Sequence, residues 1–526
     1  MIHTSEHAAC GVGLIASRQQ QASHSLLQHS LRALASQEHR GGSHIDQKSS
    51  DGCGLMTDIP FELLGYAPGS IALAMIFAPP QAAVRRACLR LMEEVFAFHD
   101  MPVLSWRKVP TCTEVLGKEA LQSLPFVVQA IIARPDYCRT EASFEKQLYT
   151  ARQNFRHKSQ QKGLSTLFFC SLSPSTIVYK ALCLAADLPL FYQDLQNPAY
   201  KTRFGLFHRR FSTNTNSTWD KAQPFRLIAH NGEFNTISGN RSWATSREKA
   251  SGLPKGSLLS SEALSDSGSL NEMMEAMHFR SSIPYTDEIL ALLMPPAYKE
   301  SSFYRFWGRA LEAWDGPALV LYADGHHLGA RLDRNGFRPC RWALTETLFC
   351  LASEAGSFQL EEGSILAKGT LQAGTGLRFN MLSGKLHLQD PSQSRGNADT
   401  QFQARLFPLH YLNATQEQAH HLAQKHLFQL HEEELSKILL PMIQQGKEAI
   451  GSMGDTARLA VLSSEPHSLF DYFYHHFAQV SNPPLDYLRE KSVTDLSVYL
   501  GRRPNIFAKK ELIPPPPALA LASPLL

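Results

Sequence analysis

The 526-residue chain lacks an excess of charge of either sign. It carries 51 basic and 48 acidic side chains, which leaves a net charge of +3. A protein that binds nucleic acid or an anionic membrane through its surface potential needs a clear basic excess. The balance of charges therefore argues against nucleic acids and membrane surfaces as partners.

Cysteine is sparse and lacks the spacing of a metal site. The nine cysteines include no Cys-x-x-Cys pair and no Cys/His cluster at zinc spacing. We therefore expect no metal site, and a reduced, cytoplasmic chain whose thiols are mostly buried.

Long apolar runs and a secretory leader are also missing. The longest apolar stretches fall well short of a membrane span. Residues 1–9 have neither the basic region nor the apolar core of a signal peptide. They end in two alanines directly before Cys10, which suits a short pro-segment that is removed.

The order of the predicted elements indicates a mixed fold. Apolar runs at 71–78 and 126–133 predict strands. Residues 81–100 and 141–157 have helical spacing, and a second block rich in predicted strands covers 316–379. Because strands and helices do not alternate strictly, the pattern favours a layered α+β sandwich over a doubly wound sheet.

Cys10 opens the run Cys-Gly-Val-Gly-Leu-Ile-Ala-Ser, close to the start of the chain. If residues 1–9 are removed, Cys10 carries both a thiol and a free α-amine. A nucleophilic thiol needs an adjacent base, and this amine can serve as one. The position therefore predicts an N-terminal nucleophile.

Two motifs carry groups that suit a polar substrate. Arg210 stands in Arg-Arg-Phe-Ser-Thr-Asn, where its guanidinium can bind a carboxylate. A solvated or paired arginine is the simpler alternative. Asn231 and Gly232 follow an apolar run and offer two adjacent N–H donors, as in an oxyanion hole. An ordinary Asn-Gly turn is the alternative here.

Two further polar motifs could contribute to the same site. Asp266 precedes a predicted helix and could bind an ammonium group, although a helix N-cap is the commoner role. The turn Asp333-Arg-Asn-Gly-Phe-Arg-Pro could form a wall of the site, and a structural turn is the simpler interpretation. Together, a thiol, an oxyanion pair and anchors for a carboxylate and an ammonium describe a site for glutamine.

The chain resembles class II glutamine amidotransferases of the N-terminal-nucleophile superfamily. More narrowly, it is similar to the glutaminase domain of the glutamate synthase large chain, from about residue 7 to about residue 505. The motifs that carry the resemblance, in chain order, are Cys10-Gly-Val-Gly, His39-Arg-Gly, Asp51-Gly-Cys-Gly, Thr176-Ile-Val-Tyr-Lys, His208-Arg-Arg-Phe-Ser-Thr-Asn-Thr, Ala222-Gln-Pro-Phe, Ala229-His-Asn-Gly-Glu-Phe-Asn, Ser265-Asp-Ser, Met294-Pro-Pro-Ala-Tyr, Trp314-Asp-Gly-Pro and Leu332-Asp-Arg-Asn-Gly.

The resemblance implies a four-layer αββα sandwich and a set of site residues. Cys10 would be the nucleophile, with Asn231 and Gly232 at the oxyanion. Arg210 would hold the substrate carboxylate and Asp266 its ammonium. The remaining member of the set is Arg40, which would help to order the surroundings of the nucleophile, with a structural salt bridge as its alternative.

The resemblance also implies an organisation along the chain. We expect a pro-segment at 1–9, an amidotransferase domain at 10–414 and a helical connector at 415–449. Residues 450–526 would be a partial α/β central domain with an unpacked, proline-rich tail. Because the FMN barrel and the iron–sulfur cysteines of glutamate synthases are absent, we expect no cofactor in this chain.

The expected function is hydrolysis of L-glutamine to glutamate and ammonia. A separate glutamate synthase chain is a possible recipient of the ammonia. Two alternatives stay open at this point. The chain could be a non-catalytic, glutamine-binding regulatory module, or an inactive fragment of a glutamate synthase.

Overall fold

The computed structural model describes residues 10–388, apart from 165–166, 213–215, 236, 252, 260–263, 284, 298–301 and 309. Beyond residue 388 it describes 405–406, 432–446, 498–501, 518–521 and a few single residues between 463 and 507. The chain divides into two compact units. The first contains Met1–Gln401 and Arg503–Pro515, and the second Phe402–Arg502 and Pro516–Leu526. The expected pro-segment lies outside the described residues.

Strands and helices of the first unit are named in chain order. The strands are β1 Gly11–Ser17, β2 Ser49–Asp58, β3 Ile71–Ala78, β4 Val103–Lys108, β5 Phe126–Ala133, β6 Phe168–Ser173, β7 Thr176–Cys183, β8 Phe204–Arg209, β9 Ile228–Gly232, β10 Ala318–Ala323, β11 His327–Leu332, β12 Arg341–Thr345, β13 Leu348–Ala352, β14 Ile365–Thr370, β15 Gly376–Asn380 and β16 Lys385–Leu388. The helices are α1 His24–Ser36, α2 Phe61–Leu64, α3 Ala82–Phe98, α4 Lys118–Gln122, α5 Glu141–Gln161, α6 Leu188–Phe191, α7 Ile237–Ala250, α8 Asp266–Arg280, α9 Thr286–Leu293 and α10 Ser302–Trp307.

Two antiparallel sheets form the centre of the first unit. One has the order β14-β12-β13-β1-β8-β2-β7, and the other has the order β16-β15-β11-β10-β9. Helix α1 packs on β1 and β8, and the other face of these strands contacts β9 and β10. Helices α8 and α9 cover the second sheet. The layers therefore run helix, sheet, sheet, helix, which confirms the predicted αββα sandwich.

Strand β1 is buried along its whole length because it lies between β13 and β8 and beneath α1. Its sequence, Gly-Val-Gly-Leu-Ile-Ala-Ser, is accordingly apolar or small at every position but the last. A strand covered on both faces shows such a continuous apolar run instead of alternation. Cys10 is therefore held at the start of a rigid central strand.

A smaller sheet, of order β4-β5-β3-β6, flanks this sandwich in the first unit. Its helices are α3 and α5, which pack on each other. Helix α5 begins at a capping box in which Thr140 accepts a hydrogen bond from the backbone N–H of Ser143. No helix among the described residues is long and apolar enough to cross a membrane.

The second unit is described only in part. Helical turns cover Glu432–Glu434, Leu435–Leu439 and Leu440–Gln445. A three-stranded sheet joins β17 Arg405–Leu406, β18 Val498–Gly501 and β19 Ala518–Leu521, with β19 in the middle. The tail that we expected to be unpacked thus contains a strand, because its Ala-Leu repeat leaves the backbone N–H and C=O groups free to pair.

Candidate active site

A cavity of about 390 Å³ opens beside Cys10. Its wall is supplied mainly by the residues between β8 and β9, the end of β9, the first turns of α7, the start of α8 and the turn after β11. Five of the six predicted site residues line it, namely Cys10, Arg210, Asn231, Gly232 and Asp266. The fold therefore brings together groups that are up to 256 positions apart in the chain.

The Cys10 thiol lies against the backbone that follows β8. Its Sγ is 3.4 Å from the Phe211 carbonyl oxygen, to which it donates, and it accepts from the Phe211 N–H at 3.3 Å. Burial raises the pKa of the thiol, whereas the cations of Arg210 and Arg338 lower it. Formation of the thiolate thus depends on a nearby base and on these positive charges.

Arg210 is buried and held by backbone and hydroxyl groups. One terminal nitrogen, Nη1, donates to the Asp51 carbonyl oxygen and to Ser217 Oγ, both at 3.2 Å, and Nη2 donates to Ser212 Oγ at 3.2 Å. The Asp51 carboxylate accepts from the Ser212 N–H at 2.7 Å and also from the Ser217 hydroxyl. The guanidinium is therefore fixed in the cavity wall, where its fork can meet a carboxylate.

Asn231 and Gly232 are the last two residues of β9, not the centre of a free turn. They pair with Leu319 and Ala318 of β10. Asn231 Oδ1 is buried and has no hydrogen-bond partner among the described residues. The donors of this amide are on its NH₂ group. Gly232 has φ 136°, and a Cβ there would lie 1.8 Å from the Pro317 carbonyl oxygen. The position consequently requires glycine.

Asp266 is the first residue of α8, but Ser265 is the helix cap, since Ser265 Oγ accepts from the Gly268 N–H at 3.1 Å. The Asp266 carboxylate instead accepts from the backbone N–H groups of Phe234, at 3.1 Å, and Ser267, at 2.6 Å. It links the helix start to the segment after β9. Its position on the cavity wall leaves a negative charge available to an ammonium group.

The structure places Arg40 outside the cavity lining. Its Nε donates to Glu354 Oε2 at 2.6 Å in a partly exposed ion pair. The buried arginine close to this segment is Arg209, which pairs with Glu38 at 2.6 Å and lies against Gly41. The ion pair with Glu354 corresponds to the structural salt bridge that we gave as the alternative to a role in ordering the surroundings of the nucleophile.

The polar residues of the cavity wall that sequence reasoning did not assign to the site include Gln223, His230 and Ser267. His230 Nδ1 lies 2.7 Å from Ser267 Oγ, and the backbone N–H of His230 donates to Gln223 Oε1 at 2.8 Å. Burial lowers the pKa of His230 to about 4, so its ring is neutral near pH 7. His230 and Ser267 stand directly beside the predicted residues Asn231 and Asp266, and Gln223 lies in the motif Ala222-Gln-Pro-Phe. These positions are the signal that could have identified them.

The wall shows no metal-binding arrangement. Within the part of the chain that the structure describes, no group of three or more His, Cys, Asp or Glu side chains is placed to hold a metal ion. The cavity itself brings together a thiol, backbone N–H donors and charged groups of both signs.

Comparison with known proteins agrees with this geometry. The family model for class-II glutamine amidotransferases matches residues 10–403, and the model for the glutamate synthase central domain matches residues 423–526. The chain belongs to the class-II glutamine amidotransferases. The resemblance seen in the sequence motifs is thus confirmed.

Within that family, the relatives are glutamate synthases. The chain is 36% identical to the ferredoxin-dependent glutamate synthase 2, chloroplastic, of Arabidopsis thaliana, over 95% of this chain and 33% of the relative. It is 33% identical to the NADPH glutamate synthase large chain of Bacillus subtilis, over 96% of this chain and 35% of the relative. The chain spans about a third of the length of these relatives.

Proposed function

We propose that this chain hydrolyses L-glutamine to L-glutamate and ammonia, with Cys10 as the nucleophile. The observation that carries the proposal is the convergence of Cys10, Arg210, Asn231, Gly232 and Asp266 on one cavity. Membership of the class-II glutamine amidotransferases supports the same reaction.

Two opposite charges would orient the substrate. Arg210 offers a fixed guanidinium fork to the α-carboxylate, and Asp266 offers a carboxylate to the α-ammonium. A cavity of about 390 Å³ is within the usual size of a small-molecule site. With both α-groups anchored, the side-chain amide of glutamine would point toward Cys10.

The reaction would proceed through a thioester. The α-amine of Cys10, freed by removal of residues 1–9, takes the thiol proton; a free α-amine has a pKa of about 8. The sulfur bonds to the side-chain amide carbon of glutamine, and Asn231 and Gly232 donate hydrogen bonds to the resulting oxyanion. The carbon–nitrogen bond then breaks, and ammonia leaves with the transferred proton. Water cleaves the thioester, which releases glutamate and restores the thiol without a cofactor.

Replacement of the nucleophile tests the proposal. Cys10→Ala should abolish ammonia release from glutamine, measured with a coupled assay, while calorimetry should still detect glutamine binding. Cys112→Ala is the matched control, because Cys112 is also half-buried but its thiol donates to Glu114, outside the cavity lining. Ammonia release that survives in the Cys10→Ala variant would contradict the assignment.

The position of the mature N-terminus distinguishes the proposed enzyme from the alternative of a non-catalytic binding module. Intact mass or N-terminal sequencing should show a chain that starts at Cys10. A purified chain that starts at Met1, binds glutamine and releases no ammonia would instead favour the non-catalytic alternative.

We further propose that the ammonia is passed to a glutamate synthase chain. The match of residues 423–526 to the glutamate synthase central domain supports this recipient. Adding candidate synthase chains should raise glutamine hydrolysis and should yield a complex on gel filtration. An unchanged rate together with separate elution would overturn this part of the proposal.

We also propose a reducing compartment, most simply the cytoplasm, as the location. All nine cysteines are free thiols, and the sulfurs of Cys53 and Cys183 lie 3.9 Å apart without a disulfide. Fractionation followed by immunoblotting checks this, and recovery of the chain in an oxidising compartment would contradict it.

A further inference from the structure

We propose that Arg338 is a further functional residue of this site, whose positive charge stabilises the Cys10 thiolate and the oxyanion that forms beside it. The inference rests on the proposed function and extends it to a residue in the turn after β11. It concerns a side chain that lines the same cavity as Cys10 but lies outside the predicted set.

A hydrogen bond to the backbone places Arg338 beside Asn231 and Gly232, the proposed oxyanion donors. Its Nε donates to the Pro317 carbonyl oxygen at 3.3 Å. The same carbonyl accepts from the Glu233 N–H at 3.2 Å, and it is the oxygen that leaves no room for a Cβ at Gly232. One carbonyl therefore ties the guanidinium of Arg338 to the end of β9.

The charge of Arg338 is not neutralised by a carboxylate. Among the described residues it forms no ion pair, and its two terminal nitrogens have no hydrogen-bond partner. Arg334, in the same turn, has its charge offset by Asp315 at 2.8 Å. A half-buried and unpaired guanidinium on the wall of a cavity raises the potential inside it.

The other charges of the cavity have different roles or different neighbours. Arg210 is fixed by Asp51, Ser212 and Ser217 and is assigned to the substrate carboxylate. The titratable and charged groups that face the cavity are Arg210, Lys221, His230, Glu233, Arg241, Asp266 and Arg338. Of these, Arg210 and Arg338 lower the pKa of the Cys10 thiol, against burial and Asp266, which raise it. Because Arg210 would be occupied by substrate, Arg338 is the cation left to act on the sulfur and the oxyanion.

The test compares Arg338→Met with Arg338→Lys, which differ in charge but have similar stems. The first readout is the pH dependence of Cys10 alkylation by iodoacetamide, followed by the mass of the peptide that contains Cys10. The Met variant should need a higher pH to reach half-maximal alkylation, and the Lys variant should stay close to the unchanged protein. Alkylation of Cys112 in the same samples should not shift.

The second readout is glutamine hydrolysis. We expect Arg338→Met to lower kcat by roughly ten- to a hundredfold, with KM changed by less than about threefold. The loss should be smaller than the roughly hundred- to thousandfold that follows removal of a direct oxyanion donor, because Arg338 acts through its charge. Arg338→Lys should recover a large part of kcat. Arg334→Gln is the control for the turn, since it removes a neighbouring arginine that lies outside the cavity lining.

Three results would overturn the inference. One is an equal alkylation profile in the Met and Lys variants. Another is a rise in KM at constant kcat, which would make Arg338 a substrate anchor. The third is a loss of thermal stability that accounts for the lost activity, with no shift in alkylation. If the unchanged protein hydrolyses no glutamine, the proposed function fails, but the alkylation comparison still decides the role of Arg338.

Discussion

At the scale of single residues, different structural constraints act on the residue types at positions 231 and 232, which are Asn231 and Gly232. Gly232 is required by its backbone, because φ is positive and the Pro317 carbonyl fills the space of a Cβ. Asn231 is buried, with a side-chain oxygen that has no partner in the described structure. A buried acceptor without a partner costs free energy. Because an oxyanion accepts hydrogen bonds, the proposed role of Asn231 uses the NH₂ group of its side chain and not this oxygen.

Asn231→Ala should lower kcat for glutamine by roughly a hundredfold or more, which corresponds to about 3 kcal/mol of lost transition-state stabilisation. Glutamine affinity should change little, because the amide acts on the oxyanion and not on the α-groups. Steady-state kinetics and calorimetry together measure the two effects. Asn240→Ala is a suitable control, since Asn240 bonds to the Ala313 carbonyl outside the cavity lining. An Asn231→Ala variant with a raised KM and an unchanged kcat would contradict the oxyanion role.

At the scale of elements, the segment after β8 depends on β2 for its position. The backbone N–H of Arg210 donates to the Gly52 carbonyl at 2.8 Å, and the neighbouring Asp51 carboxylate holds Ser212 and Ser217. The Phe211 backbone of this segment in turn contacts Cys10. Asp51, on the adjacent strand β2, thus helps to position both Arg210, the proposed carboxylate anchor, and the Phe211 backbone that contacts Cys10.

Asp51→Asn should raise KM for glutamine by roughly tenfold. Hydrogen bonds to a charged group contribute about 1.5–3 kcal/mol each, and the substitution would remove part of this free energy from the bonds that hold Ser212 and Ser217. The expected effect on kcat is smaller. Asp46→Asn controls for a general effect on this region, because Asp46 bonds to Ser49 and Lys48 and has no contact with Ser212 or Ser217. Equal kinetics in both variants would show that Asp51 does not position the anchor.

At the scale of the whole molecule, a distant segment of the chain completes the core of the first unit. Residues 503–515 belong to that unit, and Ile506 is 1% exposed within a cluster that includes residues of α8, α9 and β10. The Arg503 guanidinium lies 4.2 Å from the centre of the Trp243 ring. The stability of the amidotransferase unit therefore depends on residues about a hundred positions beyond its last main segment.

Ile506→Ala should destabilise the first unit by about 2–5 kcal/mol, the usual range for truncating a buried isoleucine, and should lower the thermal midpoint. Differential scanning calorimetry measures the shift. Leu382→Ala serves as the control, because Leu382 is 62% exposed in the same unit and its truncation should change the midpoint little. An equal midpoint in the two variants would mean that the C-terminal segment adds nothing to the core.

Much of the fold could be predicted because its strands are buried on both faces. The predicted strands at 71–78 and 126–133 coincide with β3 and β5, which are apolar along their length. The predicted helix at 81–100 is observed as Ala82–Phe98, which is within two residues of the predicted bounds at each end. The tail was harder to judge, since the pairing of Ala518–Leu521 depends on two strands that are remote in the chain.

The candidate site, like the fold, could be predicted from the sequence only in part. Residue types that carry chemistry, such as Cys10, Arg210 and Asp266, stand in recognisable motifs and could be found by inspection. The turn that contains Arg338 was named as a possible wall of the site, but a role for Arg338 itself could not be predicted. That role depends on the absence of a carboxylate partner, which is a property of the packed structure.

The sequence alone determined the class of the fold and the chemical groups of the site, because apolar periodicity and short motifs are local. It also determined the family, through motifs that keep their order along the chain. Only the tertiary structure decided which of these groups share one cavity: it placed Asp266 and Arg338 with Cys10, and Arg40 with Glu354. The reason is physical, since burial, ion pairing and the shared Pro317 carbonyl arise between segments that are distant in the chain and meet only when the strands pair and the layers pack.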